Sequence, residues 1–145
     1  MAIKQLSVYI ENKPGTLAGI VKDIAEEGIN IRAMSLADTT DFGVLRLITD
    51  DTEKLKEHFA EKAIVNVTRV VAVKMDDHAG ALGDILTVIG EAGISIEYMY
   101  AFTGTKASSA YVVLRVDDTD AVEEVLKQHG VESLDEAGIE EILKD

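Results

Sequence analysis

Near the start of the chain, Leu6, Val8 and Ile10 alternate with Ser7 and Tyr9, the period of a strand with one buried face. Leu17, Ile20, Val21 and Ile24 then recur at helical spacing, and Gly28 sits where a helix C-terminal cap belongs. Residues 29–36 and 42–49 read as two strands joined by a polar turn at 38–41. A short helix is expected over 51–61 with Leu55 and Phe59 inward, followed by a strand at 63–68.

The same pattern occurs twice. Shifting the chain by 65 residues superposes Val8, Gly15, Leu17, Ile20 and Ile24 on Val73, Gly80, Leu82, Ile85 and Ile89. Glu26, Gly28, Ile29, Ile31 and Met34 fall in turn on Glu91, Gly93, Ile94, Ile96 and Met99. Such self-similarity marks two copies of one structural unit. The second copy has strands at 94–102 and 110–116 around a loop at 103–109. A helix at 119–128, with Val122, Val125 and Leu126 inward, and a strand at 131–134 complete it. The expected division is 1–68, 69–134, and a C-terminal extension at 135–145 whose Ile139, Ile142 and Leu143 form one stripe of a docking helix. Each copy is βαββαβ, so the fold class is α+β: two ferredoxin-like units, each an antiparallel sheet with helices on one face. Simple alternation in the second strand puts Met34 and Met99 on the face away from the helices, where sheet packing between copies or chains would bury them.

Charge and composition narrow the chemistry. The 145 residues hold 14 Lys and Arg against 27 Asp and Glu, a net charge of −13 without any run of three basic residues. That argues against nucleic acid and anionic membrane, both of which need clustered cations. Tyr98 and Tyr100 share a strand face, but an RNA-binding sheet also needs basic flanks. At 47% hydrophobic and 28% charged, the chain is expected to fold around a packed core. No cysteine is present, which removes disulfides, thiolate metal sites and cysteine nucleophiles. His58, His78 and His129 are scattered singly, no nucleophile elbow or phosphate loop occurs, and an enzyme is not expected. No cofactor and no metal is expected either. Asp50, Asp51, Asp117 and Asp118 precede the second helix of each copy and read as caps. With neither a membrane-length apolar run nor a signal-peptide pattern at the first residues, a cytoplasmic location is expected.

The segment most suggestive of function joins the first strand to the first helix. It runs Glu11, Asn12, Lys13, Pro14, Gly15, Thr16, Leu17, and Pro14, the chain's one proline, suits the first position of a helix. Unpaired amides at the start of that helix, on Gly15, Thr16 and Leu17, would face a carboxylate, as would those of Gly80, Ala81 and Leu82. An Asn-x-Pro-Gly-x-Leu turn opening the first helix, with Gly28 thirteen residues on from Gly15 and the pair Asn30-Ile31 after it, resembles the ACT domain. The resemblance covers nearly the whole chain as two tandem units and is similar to small stand-alone ACT proteins without a catalytic domain.

What the resemblance implies is a non-catalytic regulatory protein that binds an amino acid or related small carboxylate at interfaces between units, as a homodimer. The positions it nominates are Asn12, Gly15, Thr16, Leu17, Asn30 and Ile31 in the first copy, and Asp77, Gly80, Ala81, Leu82, Ser95 and Ile96 in the second. The second copy departs from the pattern, with Asp77 for Asn12, Ala79 for Pro14 and Ser95 for Asn30. An alternative is a protein-interaction module, or the regulatory subunit of an amino-acid biosynthetic enzyme, with no ligand of its own.

Overall fold

The structure, a computed structural model, describes residues 2–11, 13–38, 42–103 and 109–143. The elements run β1 (Ile3–Glu11), α1 (Thr16–Glu26), β2 (Ile31–Asp38), β3 (Phe42–Thr49), α2 (Thr52–Phe59) and β4 (Ile64–Asp76). They continue α3 (Ala81–Glu91), β5 (Ile96–Thr103), β6 (Ser109–Val116), α4 (Thr119–Gln128), β7 (Ser133–Leu134) and α5 (Glu136–Leu143). Two compact units result: residues 4–68, and residues 69–145 together with 1–3. Residues 39–41 of the turn expected at 38–41, and residues 104–108 of the loop expected at 103–109, lie outside the described residues.

In the N-terminal unit the strand order is β2-β3-β1, all antiparallel, with Leu6 opposite Leu47 and Val8 opposite Leu45. These four and Ile10 pack with Ile24 of α1 and with Leu55 and Phe59 of α2, so both helices cover one face of the sheet. Each such fully buried aliphatic side chain stabilises the fold by roughly 1.5–3 kcal/mol. The C-terminal unit repeats the plan with order β4-β6-β5 and β7 added beside β4. There Val71, Val73, Val112 and Leu114 meet Ile85 and Ile89 of α3 and Val122 and Leu126 of α4.

Local chemistry explains the helix ends. Asp51 and Asp118 cap α2 and α4 by accepting from the amides of Lys54 and Ala121, at 3.1 and 3.0 Å. Gly28 and Gly93, at φ 72° and 77°, follow the last turns of α1 and α3 in the left-handed conformation that only glycine adopts without strain. Asp135 accepts from the amide of Gly138 at 2.7 Å and opens α5, whose Ile139 is buried and whose Ile142 is half-buried. The side chain of Leu143, the third member of the expected stripe, lies outside the described residues.

The expected outward placement of Met34 and Met99 is overturned. The β2–β3 register shifts between Ile31 and Ala33, and the β5–β6 register shifts between Ile96 and Tyr98. Each irregularity adds one residue to the strand and flips every later side chain to the other face. Ile31 therefore packs on the core and Ala33 faces away, while Met34 stands opposite the core residue Leu47. Met99 likewise stands opposite Leu114 and packs against the C-terminal core. Leu36 follows Met34 onto the helix side, where its Cδ1 lies 3.2 Å from the position a Cβ on Gly43 would take. On the face away from the helices, Gln5 and Ser7 are buried in the N-terminal unit, and Val70, Ala72, Tyr111 and Val113 in the C-terminal unit.

Candidate functional site

The β1–α1 connection is a tight turn. The amide of Thr16 donates to the carbonyl of Lys13 at 3.2 Å, and Gly15 has φ 86° and ψ −14°. Those angles belong to the third residue of a type II turn, with Pro14 in the preceding position that proline favours. Pro14 thus precedes the helix instead of occupying its first position, because the left-handed Gly15 delays helical geometry until Thr16. The second unit builds the same turn without proline: Ala81 donates to His78 at 3.2 Å, and Gly80 has φ 90° and ψ −15°. The turn also corrects the donor set, since the amides of Thr16 and Ala81 are spent inside it. By helix geometry, Leu17 and Ala18 are then the first-turn amides of α1 without an intrahelical acceptor.

Glu11 and Lys13 straddle Asn12, which lies outside the described residues. Lys13 Nζ is 2.8 Å from Glu11 Oε2. The hydrogen bond and positive charge of Lys13 hold the Glu11 carboxyl below its ordinary value, and the hydrogen bond and negative charge of Glu11 raise the ammonium of Lys13 above its own.

Beside this turn the N-terminal unit opens a groove of about 930 Å³. The end of β1 contributes Tyr9, Ile10 and Glu11, the turn contributes Gly15, α1 contributes Thr16, Gly19, Ile20 and Asp23, and Phe42, Phe59, Lys62, Ala63 and Ile64 complete it. Gly15 and Thr16 are thus sequence-nominated residues that line it. Leu17 turns to a small recess of about 50 Å³ with Leu36 and Gly43. Asn30 and Ile31 are not brought to the groove within this unit. Ile31 pairs with Thr49 at the far end of the sheet from Glu11, which pairs with Phe42. Asn30 is tied to Asp50 in both directions: its amide donates to Asp50 Oδ1 at 3.0 Å, and its carbonyl accepts from the amide of Asp50 at 3.2 Å.

In the C-terminal unit, Ala81 lines a smaller pocket of about 400 Å³ with Lys74, Asp76, His78, Asp84, Ile85 and Glu132. Gly80 opens α3 beside it, Asp77 and Ser95 are exposed, Leu82 packs against the core, and Ile96 pairs with Val116 at the far end of the sheet. The ring Nδ1 of His78 lies 2.9 Å from the neighbouring carbonyl of Ala79.

One charged cluster escaped the sequence reading. His58 of α2 places Nε2 2.9 Å from Asp23 Oδ1 and Nδ1 3.2 Å from Glu27 Oε1, with its ring edge-on to Phe59. Asp23 also lies on the groove wall, 4.0 Å from Lys62 Nζ through its other oxygen. The available signal was two acids four residues apart on one helix face, a pair that repels unless a cation bridges it. Among the described residues no group of three or more His, Asp or Glu is placed to hold a metal ion, and no helix is long and apolar enough to cross a membrane.

A family model described as an ACT domain pair matches residues 1–143. The crystal structure of a Bacteroides thetaiotaomicron protein is 36% identical, with 100% of this chain and 98% of that one covered at a TM-score of 0.88. The ligand-free regulatory subunit of aspartate kinase from Thermus thermophilus shares the fold, at 15% identity and a TM-score of 0.64 over 86% of this chain and 91% of that one. No curated protein matches the chain.

Proposed function

The chain belongs to the family of ACT domain pairs, and on that premise we propose that it is a non-catalytic regulator that binds an amino acid or a related small carboxylate. The observation that carries this reading is the groove of about 930 Å³ beside the Gly15 turn, a size that suits a small-molecule site. It combines apolar walls with a few charged groups, and the start of α1 lines it through Gly15 and Thr16. Asn30 and Ile31 stand at the far end of the sheet, so they join such a site only if a neighbouring unit or chain presents them. That supports a homodimer as the working form, and the cytoplasm is the compartment we assign.

A second reading has its own observation. Phe42 and Ile64, 60% and 73% exposed, flank the groove and would suit contact with a protein partner. The chain would then act as a subunit that regulates a metabolic enzyme. The regulatory subunit of aspartate kinase, which shares this fold, is a precedent for that arrangement.

The experiment is a dye-reported thermal-unfolding screen of the purified protein against the twenty amino acids and common metabolic carboxylates. A ligand at a hundred times its dissociation constant adds about 2.7 kcal/mol, several degrees for a chain of this size. A selective shift supports the ligand reading. No shift with any compound favours the partner reading.

A further inference from the structure

We propose that the N-terminal groove alone holds the ligand, one per chain, and that it selects an amino acid with a bulky apolar side chain. The inference rests on the ligand-binding reading above and adds the class of ligand and the stoichiometry. Its basis is the difference between two pockets built by the same repeat. Ile10, Ile20, Phe59 and Ala63 give the first an apolar lining, and Gly15, just before α1, and Gly19, in its first turns, add no side chain to the wall. Nothing lies within 4 Å of where a Cβ on either glycine would stand.

At the position equivalent to Gly19 the second unit carries Asp84, and its pocket of about 400 Å³ is hemmed by Lys74, Asp76 and Glu132. Lys74 Nζ and Glu132 Oε2 lie 4.0 Å apart there. An apolar side chain entering that pocket would desolvate charged groups without pairing them, whereas in the first unit it would meet hydrocarbon.

The charged groups of the first groove fit a zwitterion. Asp23 has one oxygen 2.9 Å from His58 Nε2 and the other 4.0 Å from Lys62 Nζ, so one carboxylate and one ammonium stand side by side on the wall. A ligand ammonium suits the first and a ligand carboxylate the second. A dicarboxylate is opposed, since both Glu11 and Asp23 line the groove.

Isothermal titration of the full chain with leucine, isoleucine, methionine and phenylalanine, against aspartate, glutamate, serine and lysine, tests this. The expected result is binding of the first group with one site per chain. Gly19→Leu, which fills the groove, and Gly19→Asp, which copies the second unit, should each weaken binding by roughly tenfold or more, about 1.4 kcal/mol or more. Asp84→Ala should leave affinity unchanged. Two sites per chain, or affinity undiminished in both Gly19 variants, overturns the assignment. Binding confined to aspartate, glutamate, serine or lysine overturns the ligand class but leaves the general ligand reading standing. No binding by any amino acid or carboxylate overturns both. A change of oligomeric state in Gly19→Leu, with no ligand bound by the parent, overturns the proposal in favour of a second copy seated on the groove.

Discussion

Met34 stands directly opposite Leu47 across the β2–β3 ladder, on the helix side of the sheet, because the register shifts just before it. Met99 and Leu114 repeat the relationship in the second unit. Equivalent placement does not give equivalent burial: Met34 is 42% exposed, whereas Met99 is half-buried against the core.

The two methionines should therefore respond differently to charge. Met99→Lys places an ammonium against the C-terminal core and is expected to destabilise by about 2 kcal/mol. Met34→Lys can leave its ammonium in water while its stem covers the same surface, at a cost within about 0.5 kcal/mol. Urea unfolding monitored by circular dichroism measures both, and equal losses would contradict the difference in packing.

Glycines four residues apart in the loop and helix have opposite requirements. Gly19 lies inside α1 with open space around it, so Gly19→Ala should stabilise by roughly 0.5–1 kcal/mol. Gly15 has φ 86°, and Gly15→Ala should destabilise by about 1 kcal/mol or more. Gly15→Val is more strained still, so it would alter the fold together with any ligand response. Thermal unfolding of the two alanine variants should show melting temperatures that move in opposite directions.

Removing a helix cap should cost a similar amount in either unit. Asp51→Ala and Asp118→Ala each strand one amide of the first turn, at Lys54 and Ala121, and should lose about 1 kcal/mol. Asparagine at either position should restore most of the loss, a rescue that separates capping from simple removal of charge.

The Glu11–Lys13 pair has a defined pH signature. The folded carboxyl of Glu11 lies below its unfolded value, so its contribution is present above the ordinary glutamate range and is lost as the pH falls through the folded value. The ammonium of Lys13 lies above its unfolded value, so its contribution is lost as the pH rises through the folded value. The pair acts between those limits, and full solvent exposure keeps it salt-sensitive. Carboxyl-carbon NMR titration of Lys13→Gln should show Glu11 moving upward towards the ordinary value, and no movement would mean that Lys13 is not the cause.

The groove was partly legible from the sequence. The Pro14-Gly15 turn pointed to it because turn chemistry is local: proline and glycine restrict or free their own dihedral angles wherever they occur. Asp23, Phe59 and Lys62 gave no such sign, since they meet across elements that are distant along the chain. His58 gave no sign either, since its two carboxylates, Asp23 and Glu27, lie on α1 and at its C-terminal end.

The sequence by itself determined the two βαββαβ units, their helix caps and their core residues. Those follow from periods of two and near four residues and from glycine and aspartate at helix ends, all readable within one turn or one pleat. Tertiary structure decided which face Met34 and Met99 occupy, which helix amides the turn consumes, and that Gly15 and Asn30 stand at opposite ends of one sheet. A one-residue bulge barely alters the hydrophobic pattern yet inverts every side chain after it. The separation of two loop residues is likewise fixed by strand pairing, not by their distance along the chain.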